Sequence, residues 1–113
     1  MEKGKFIAWF KGISIKDVPI VGGKNASLGE MYSKLTSKGV KVPNGFAITA
    51  DAYWHFLRAH GWDKKIKKHL KNLDITDGRE LAKVGKIIRD SVLAVEFPAD
   101  LKKEIITSYR ELS

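Results

Sequence analysis

The chain is predicted to fold as a predominantly helical α+β protein, with about five helices and two or three short strands. Three observations carry this expectation. Apolar residues recur at helical spacing over most of the sequence, the only β-like runs are short and lie before residue 50, and glycine, proline or a capping residue falls at nearly every expected helix end. A length of 113 residues suits one domain or a substantial part of one.

Lys5-Phe6-Ile7-Ala8-Trp9-Phe10 is short, aromatic and apolar, and Gly12 follows, so it reads as a strand. Asp17-Val18-Pro19-Ile20-Val21 is expected to be extended, because proline pushes the residue before it toward β or polyproline geometry. Gly22-Gly23 then breaks the chain. Leu28, Met31, Tyr32 and Leu35 mark one face of a helix that starts between residues 24 and 27, with Asn25 as N-cap or Ser27 and Glu30 as a capping box. Gly39 stands where a helix end favours a left-handed residue. Val42-Pro43-Asn44-Gly45 is turn chemistry, and Phe46-Ala47-Ile48-Thr49 reads as a strand.

Thr49 is the expected cap of a helix carrying Ala50, Tyr53, Trp54 and Leu57 and ending at Gly61. Trp62, Ile66, Leu70 and Leu73 repeat the spacing. Asp77 caps a longer helix with Leu81, Val84, Gly85, Ile88, Val92 and Val95 on one stripe. Pro98 opens the last, with Leu101, Ile105, Tyr109 and Leu112. Trp9, Trp54, Trp62, Phe10, Phe46, Phe56 and Tyr53 are assigned to the core, since large aromatics dominate burial. The final helix runs amphipathic to Ser113 without a cap, the pattern of a chain cut from something longer.

At 43% hydrophobic and 30% charged, the composition is outside the range of disordered chains. Without cysteine there are no disulfides or thiolate metal sites. No apolar run reaches membrane-spanning length, and no signal-peptide core follows Met1-Glu2-Lys3-Gly4, so the cytoplasm is the expected compartment. The net charge of +8 favours anionic partners. It comes mostly from lysine, with arginine only at positions 58, 79, 89 and 110, and bidentate recognition favours arginine. Lys64-Lys65-Ile66-Lys67-Lys68-His69-Leu70-Lys71 is therefore read as a solvated helix face with Ile66 and Leu70 inward, and nucleic acid as an improbable partner. His55, His60 and His69 are read as surface or boundary residues. Glu80 and Glu104 lie in different helices, and no carboxylate pair is visible, so no catalytic or metal-ligating residue is assigned.

The chemistry is concentrated at Gly22, Gly23, Lys24 and Asn25. Two glycines allow close backbone approach, and a helix starting there would face its unpaired N–H groups and positive dipole end toward the turn. Lys24 adds a full charge, completing a phosphate-binding pattern. The motif is not a Walker A loop, because Val18 and Asn25 stand where that motif needs glycine and serine or threonine. The same residues also describe an ordinary turn into a helix bearing a solvated lysine.

Asp17-Val18-Pro19, followed by Val21-Gly22-Gly23-Lys24-Asn25-Ala26-Ser27-Leu28-Gly29-Glu30-Met31, resembles the N-terminal signature of the phosphoenolpyruvate synthase family. Residues 40–53, Val40-Lys41-Val42-Pro43-Asn44-Gly45-Phe46-Ala47-Ile48-Thr49-Ala50-Asp51-Ala52-Tyr53, match that family's next block in order and spacing. Pyruvate phosphate dikinases carry a related form closer to Gly-Gly-Lys-Gly-x-Asn-Leu-Ala-Glu-Met, so Asn25-Ala26-Ser27-Leu28-Gly29 favours the synthase. The resemblance implies that residues 1–113 are the N-terminal portion of an ATP-binding domain related to the ATP-grasp fold. The larger enzyme would convert pyruvate, ATP and water to phosphoenolpyruvate, AMP and phosphate through a phosphohistidine.

ATP and Mg2+ would serve the complete enzyme, and Lys24 would contact the ATP phosphates. Pyruvate would engage only domains that this chain lacks, as would the metal-binding carboxylates. The chain by itself is expected to be inactive and to bind no nucleotide appreciably. Two other readings remain: a related dikinase or rifampicin phosphotransferase with a different acceptor, and a free-standing basic helical domain that binds nucleic acid or protein.

Overall fold

The computed structural model describes residues 6–113, which divide into two compact units. The first contains the chain up to Tyr53 together with residues 99–113, and the second spans residues 54–98.

In the first unit, β1 (Ile7–Trp9) pairs antiparallel with β2 (Phe46–Ile48), with Ile7 opposite Ile48 and Trp9 opposite Phe46. Backbone bonds from Thr49 N–H to the Phe6 carbonyl (2.9 Å) and from Phe10 N–H to the Gly45 carbonyl (3.0 Å) continue the pairing at both ends. Trp9 and Phe46 stack across the strands with centroids 5.3 Å apart. Lys5, included in the expected first strand, lies outside the described residues. Phe10 leaves the strand and begins a 3-10 turn, Phe10–Gly12.

The expected extended segment at 17–21 is helical instead. A 3-10 turn at Ile15–Asp17 leads into a single α-turn, α1 (Val18–Val21). The cause is a capping box displaced from the expected place. Ser14 Oγ accepts from Lys16 N–H (3.3 Å), while Ser14 N–H donates to Asp17 Oδ2 (2.9 Å). This nucleates a turn in which Pro19 occupies an early helical position, where its missing N–H has no partner to lose. The steric bias on the residue before proline is overridden, and Val18 sits at φ −48°, ψ −45°.

Helix α2 (Gly23–Thr36) starts at Gly23, ahead of the expected window, with Gly22 as an N-cap that lacks a side-chain bond. Neither Asn25 nor Ser27 caps it. Its buried face is also not the predicted one. Ala26 and Gly29 are buried, whereas Leu28, Tyr32 and Leu35 are half-buried and Met31 is 45% exposed. Ala26 joins Ala8, Ile13, Val21 and Ala47 in a core of mostly small side chains, with Phe10 packed against it. Burying Ile13 stabilises the unit by roughly 1.5–3 kcal/mol. Small residues let the α2 backbone come close to the segment carrying Ile13, and close approach outweighs the larger apolar stripe.

The end of α2 follows expectation. Gly39 is left-handed (φ +82°), its N–H bonds the Thr36 carbonyl, and Val40 N–H reaches back to the Leu35 carbonyl at 3.0 Å. Those two bonds together form a Schellman motif. Thr49, buried, accepts the Ala52 N–H on its hydroxyl at 3.3 Å and starts α3 (Ala50–Ala59) as predicted, a cap worth about 1 kcal/mol. Helix α6 (Ala99–Leu112) buries Leu101 and Ser108 and packs on β1. Ser108 satisfies its hydroxyl on the Glu104 carbonyl at 2.8 Å.

The second unit takes up the chain inside α3 and continues through α4 (Trp62–Leu70) and α5 (Gly78–Ala94). Gly61, at φ +70°, makes the break between α3 and α4. Asp77 caps α5 by accepting from Arg79 and Glu80 N–H. Helices α4 and α5 pack together, yet neither has a fully buried residue. Leu70 and Leu81, expected inward, are exposed, as are Tyr53 and Trp54 on α3; Phe56 stacks on Phe97 at 5.3 Å. A large aromatic fills a core only where neighbours surround it, and Trp54, 46% exposed, carries the Arg58 guanidinium over its ring at 5.6 Å.

Candidate phosphate-binding turn

The site is built from the short helix α1, the glycine turn and the start of α2. At φ +83°, ψ 163°, Gly22 occupies a region essentially closed to residues with a side chain. Its N–H closes α1 on the Val18 carbonyl at 2.8 Å, and its own carbonyl accepts the Ala26 N–H at 3.0 Å, the first bond of α2. One residue therefore ends one helix and starts the next, turning the axis between them.

This geometry leaves the main-chain amides of Gly23, Lys24 and Asn25 without an acceptor among the described residues. They are the first-turn donors of a 14-residue helix, at its positive end. Gly22, Gly23 and Lys24 are exposed, and a Cβ built on either glycine meets no atom within 4 Å, so no side chain plugs the turn. The Lys24 ammonium has no ion pair among the described residues.

Asn25 differs from the other three predicted residues. Its carboxamide Nδ2 donates to the Val21 carbonyl at 3.0 Å, so that donor is engaged within the protein, while its main-chain N–H has no acceptor among the described residues. The structure thus brings Gly22, Gly23, Lys24 and Asn25 together at one helix start, with Asn25 as a brace.

Glu30, expected to form a capping box with Ser27, has other partners. Its carboxylate accepts the Ile15 N–H at 3.1 Å and pairs with Lys34 at 3.0 Å, tying α2 to the turn that leads into α1. The Ile15 N–H, and then Lys34, hold its pKa below the ordinary glutamate value. The Glu30–Lys34 spacing was the available signal, since i,i+4 acid–base pairs are a helix feature.

A depressed folded-state pKa means that this contribution is present above the unfolded value of about 4.3 and is lost as pH falls through the folded value. Glu30→Gln is expected to lower the melting temperature near pH 7, and its difference from the unsubstituted chain should shrink as pH drops below about 4. Thermal denaturation across pH 3–7 checks this, and a pH-independent difference would contradict it.

The remaining candidates lie elsewhere. Lys64, Lys67, Lys68 and Lys71 line a groove of about 660 Å³ with Leu70, while Lys65 stacks on the Trp62 ring at 4.8 Å. A second groove, of about 510 Å³, lies at the far end of α2, between Tyr32, Thr36 and residues 39–43. His60 Nε2 is 2.9 Å from the Glu96 carbonyl oxygen, and His69 is exposed. Among the described residues, no group of three His, Cys, Asp or Glu could hold a metal, and no helix is long and apolar enough to cross a membrane.

The chain is 49% identical over 107 residues to the phosphoenolpyruvate synthase of Neisseria meningitidis serogroup B, covering 95% of this chain and 14% of that protein. It is 45% identical over 109 residues to the Helicobacter pylori phosphoenolpyruvate synthase, covering 96% of this chain and 13% of that protein. For the Escherichia coli phosphoenolpyruvate synthase the identity is 44% over 107 residues, 95% of this chain and 14% of that protein. The chain therefore spans about one seventh of the length of these curated relatives. The family model described as pyruvate phosphate dikinase, AMP/ATP-binding domain, matches residues 18–113, from the start of α1 through the glycine turn to the end of α6, and the chain belongs to that family.

Proposed function

We propose that residues 1–113 are the N-terminal portion of the ATP-binding domain of a phosphoenolpyruvate synthase, and that the turn at Gly22, Gly23, Lys24 and Asn25 holds the phosphates of ATP. The complete enzyme would be a cytoplasmic, Mg2+-dependent enzyme of gluconeogenesis that turns pyruvate, ATP and water into phosphoenolpyruvate, AMP and phosphate through a phosphohistidine. One observation carries the reading: successive unpartnered amides and an unpaired ammonium stand at the same helix start. An anion placed there gains hydrogen bonds from donors that have no internal acceptor, in the field of the helix dipole. Family membership and the high identity to phosphoenolpyruvate synthases support ATP as that anion.

The roles differ among the four residues. Gly22 sets the backbone direction and Gly23 keeps the approach free of a side chain. Lys24 supplies charge, and Asn25 contributes its main-chain N–H rather than its carboxamide. Phosphoryl transfer asks a protein chiefly to position groups and neutralise charge, which these residues are equipped to do. Following the family resemblance, Mg2+ and pyruvate would be held by other parts of the complete enzyme. The test is ATP kinetics of Lys24→Ala in the complete enzyme. A large loss in kcat/KM for ATP is expected, and unchanged kinetics would remove Lys24 from the site.

A further inference from the structure

In an uninterrupted helix, the Val21 carbonyl would accept the Asn25 main-chain N–H four residues on. Here it accepts the Asn25 side chain instead, at 3.0 Å. The carboxamide has taken over the hydrogen bond that its own backbone would have made. Two things follow locally. The last carbonyl of α1 is satisfied although the helix stops there, and the Asn25 N–H is left without an acceptor. Val21 is buried, so an unsatisfied carbonyl at this point would be costly. Donor and acceptor are fixed by chemistry, since a carbonyl oxygen can only accept and the amide nitrogen must donate.

We propose that Asn25 is a positioning residue of the phosphate-binding turn: its side chain substitutes for its own main-chain amide on Val21, locks the break between α1 and α2, and keeps the amides of Gly23, Lys24 and Asn25 available to an oxyanion. This rests on the phosphate-binding reading above and assigns a physical role to a residue within it. The clamp spans the glycine with the greatest backbone freedom in the turn, where an external tie matters most. It also holds α1, whose single turn is closed by the Gly22 N–H bond to Val18.

Hydrogen exchange followed by NMR on the 113-residue chain tests the clamp. In Asn25→Ala, protection of the Gly22 N–H is expected to fall by roughly fivefold, the effect of losing one neutral hydrogen bond. Protection of the Val40 N–H, bonded to Leu35 at the other end of α2, should stay unchanged and so report intact folding. The isosteric Asn25→Asp variant can donate only when its carboxyl is protonated. Its Gly22 protection, corrected for intrinsic exchange, should therefore return below about pH 4.

Unchanged Gly22 protection in Asn25→Ala would overturn the clamp. In the complete enzyme, Asn25→Ala should raise KM for ATP about fivefold or more, with a smaller effect on kcat. A loosened turn with normal ATP kinetics, in an enzyme where Lys24→Ala is impaired, would overturn the positioning role. Normal kinetics in Lys24→Ala would instead sink the phosphate-binding reading itself.

Discussion

Gly29→Ala should melt roughly 4–12 °C below the unsubstituted chain, although alanine is the better helix former by about 1 kcal/mol. A methyl group at residue 29 would lie 2.5 Å from Ile13 Cβ, 2.6 Å from its Cγ2 and 2.7 Å from its carbonyl oxygen. None of these is the loose end of a flexible side chain. Ile13 is 2% exposed and branched at the contacted atom, and the oxygen belongs to the backbone, so relief requires moving α2 as a whole. Overpacking of this kind typically costs about 1–3 kcal/mol, and the full misfit here belongs at the upper end, exceeding the propensity gain. Gly23→Ala in the same helix is the control, because its methyl group meets nothing within 4 Å, and its melting temperature should change little. Thermal denaturation of both variants decides the matter. A Gly29→Ala chain as stable as the original would show that the α2 contact is looser than described.

Lys24→Ala is expected to have the largest effect on activity. A charge-assisted hydrogen bond between lysine and phosphate contributes on the order of 1.5–3 kcal/mol, which corresponds to roughly 10- to 150-fold in kcat/KM for ATP. Stability should hardly change, because the side chain is exposed and makes no ion pair among the described residues. Separation of the two effects makes the result interpretable: a lower rate without a lower melting point assigns the loss to binding rather than folding. Lys38→Ala, an exposed lysine past the other end of α2, should leave ATP kinetics intact. Equal losses in both variants would indicate a diffuse field of positive charge rather than a site.

Much of this architecture was legible because it depends on local chemistry. Gly39, Thr49, Gly61 and Asp77 each act within a few residues of themselves, and each ends or starts a helix as its type requires. The glycine turn was legible for the same reason. What sequence could not supply were contacts made at a distance. Glu30 reaches Ile15 across fifteen positions. The Ser14–Asp17 capping box is local, and it was overlooked because the bias that proline places on Val18 was given more weight.

The buried side of α2 was misread because periodicity weighs large apolar residues, whereas Ala26 and Gly29 pack by being small. Asn25, expected as an N-cap of α2, instead spends its carboxamide on the Val21 carbonyl. Its residue type announces a capable hydrogen-bonding side chain, but only the coordinates reveal that Val21 already occupies it.

The backbone at Gly22 is handed. Its dihedrals, +83° and 163°, reflect to values close to the ordinary extended region of an L-residue, so they are comfortable for the opposite enantiomer. A D-alanine introduced there by chemical ligation would fit without strain and would restrict the unfolded chain more than glycine does. The corner between the two helices is thus a place where mirror-image chemistry would stiffen what any natural substitution would break.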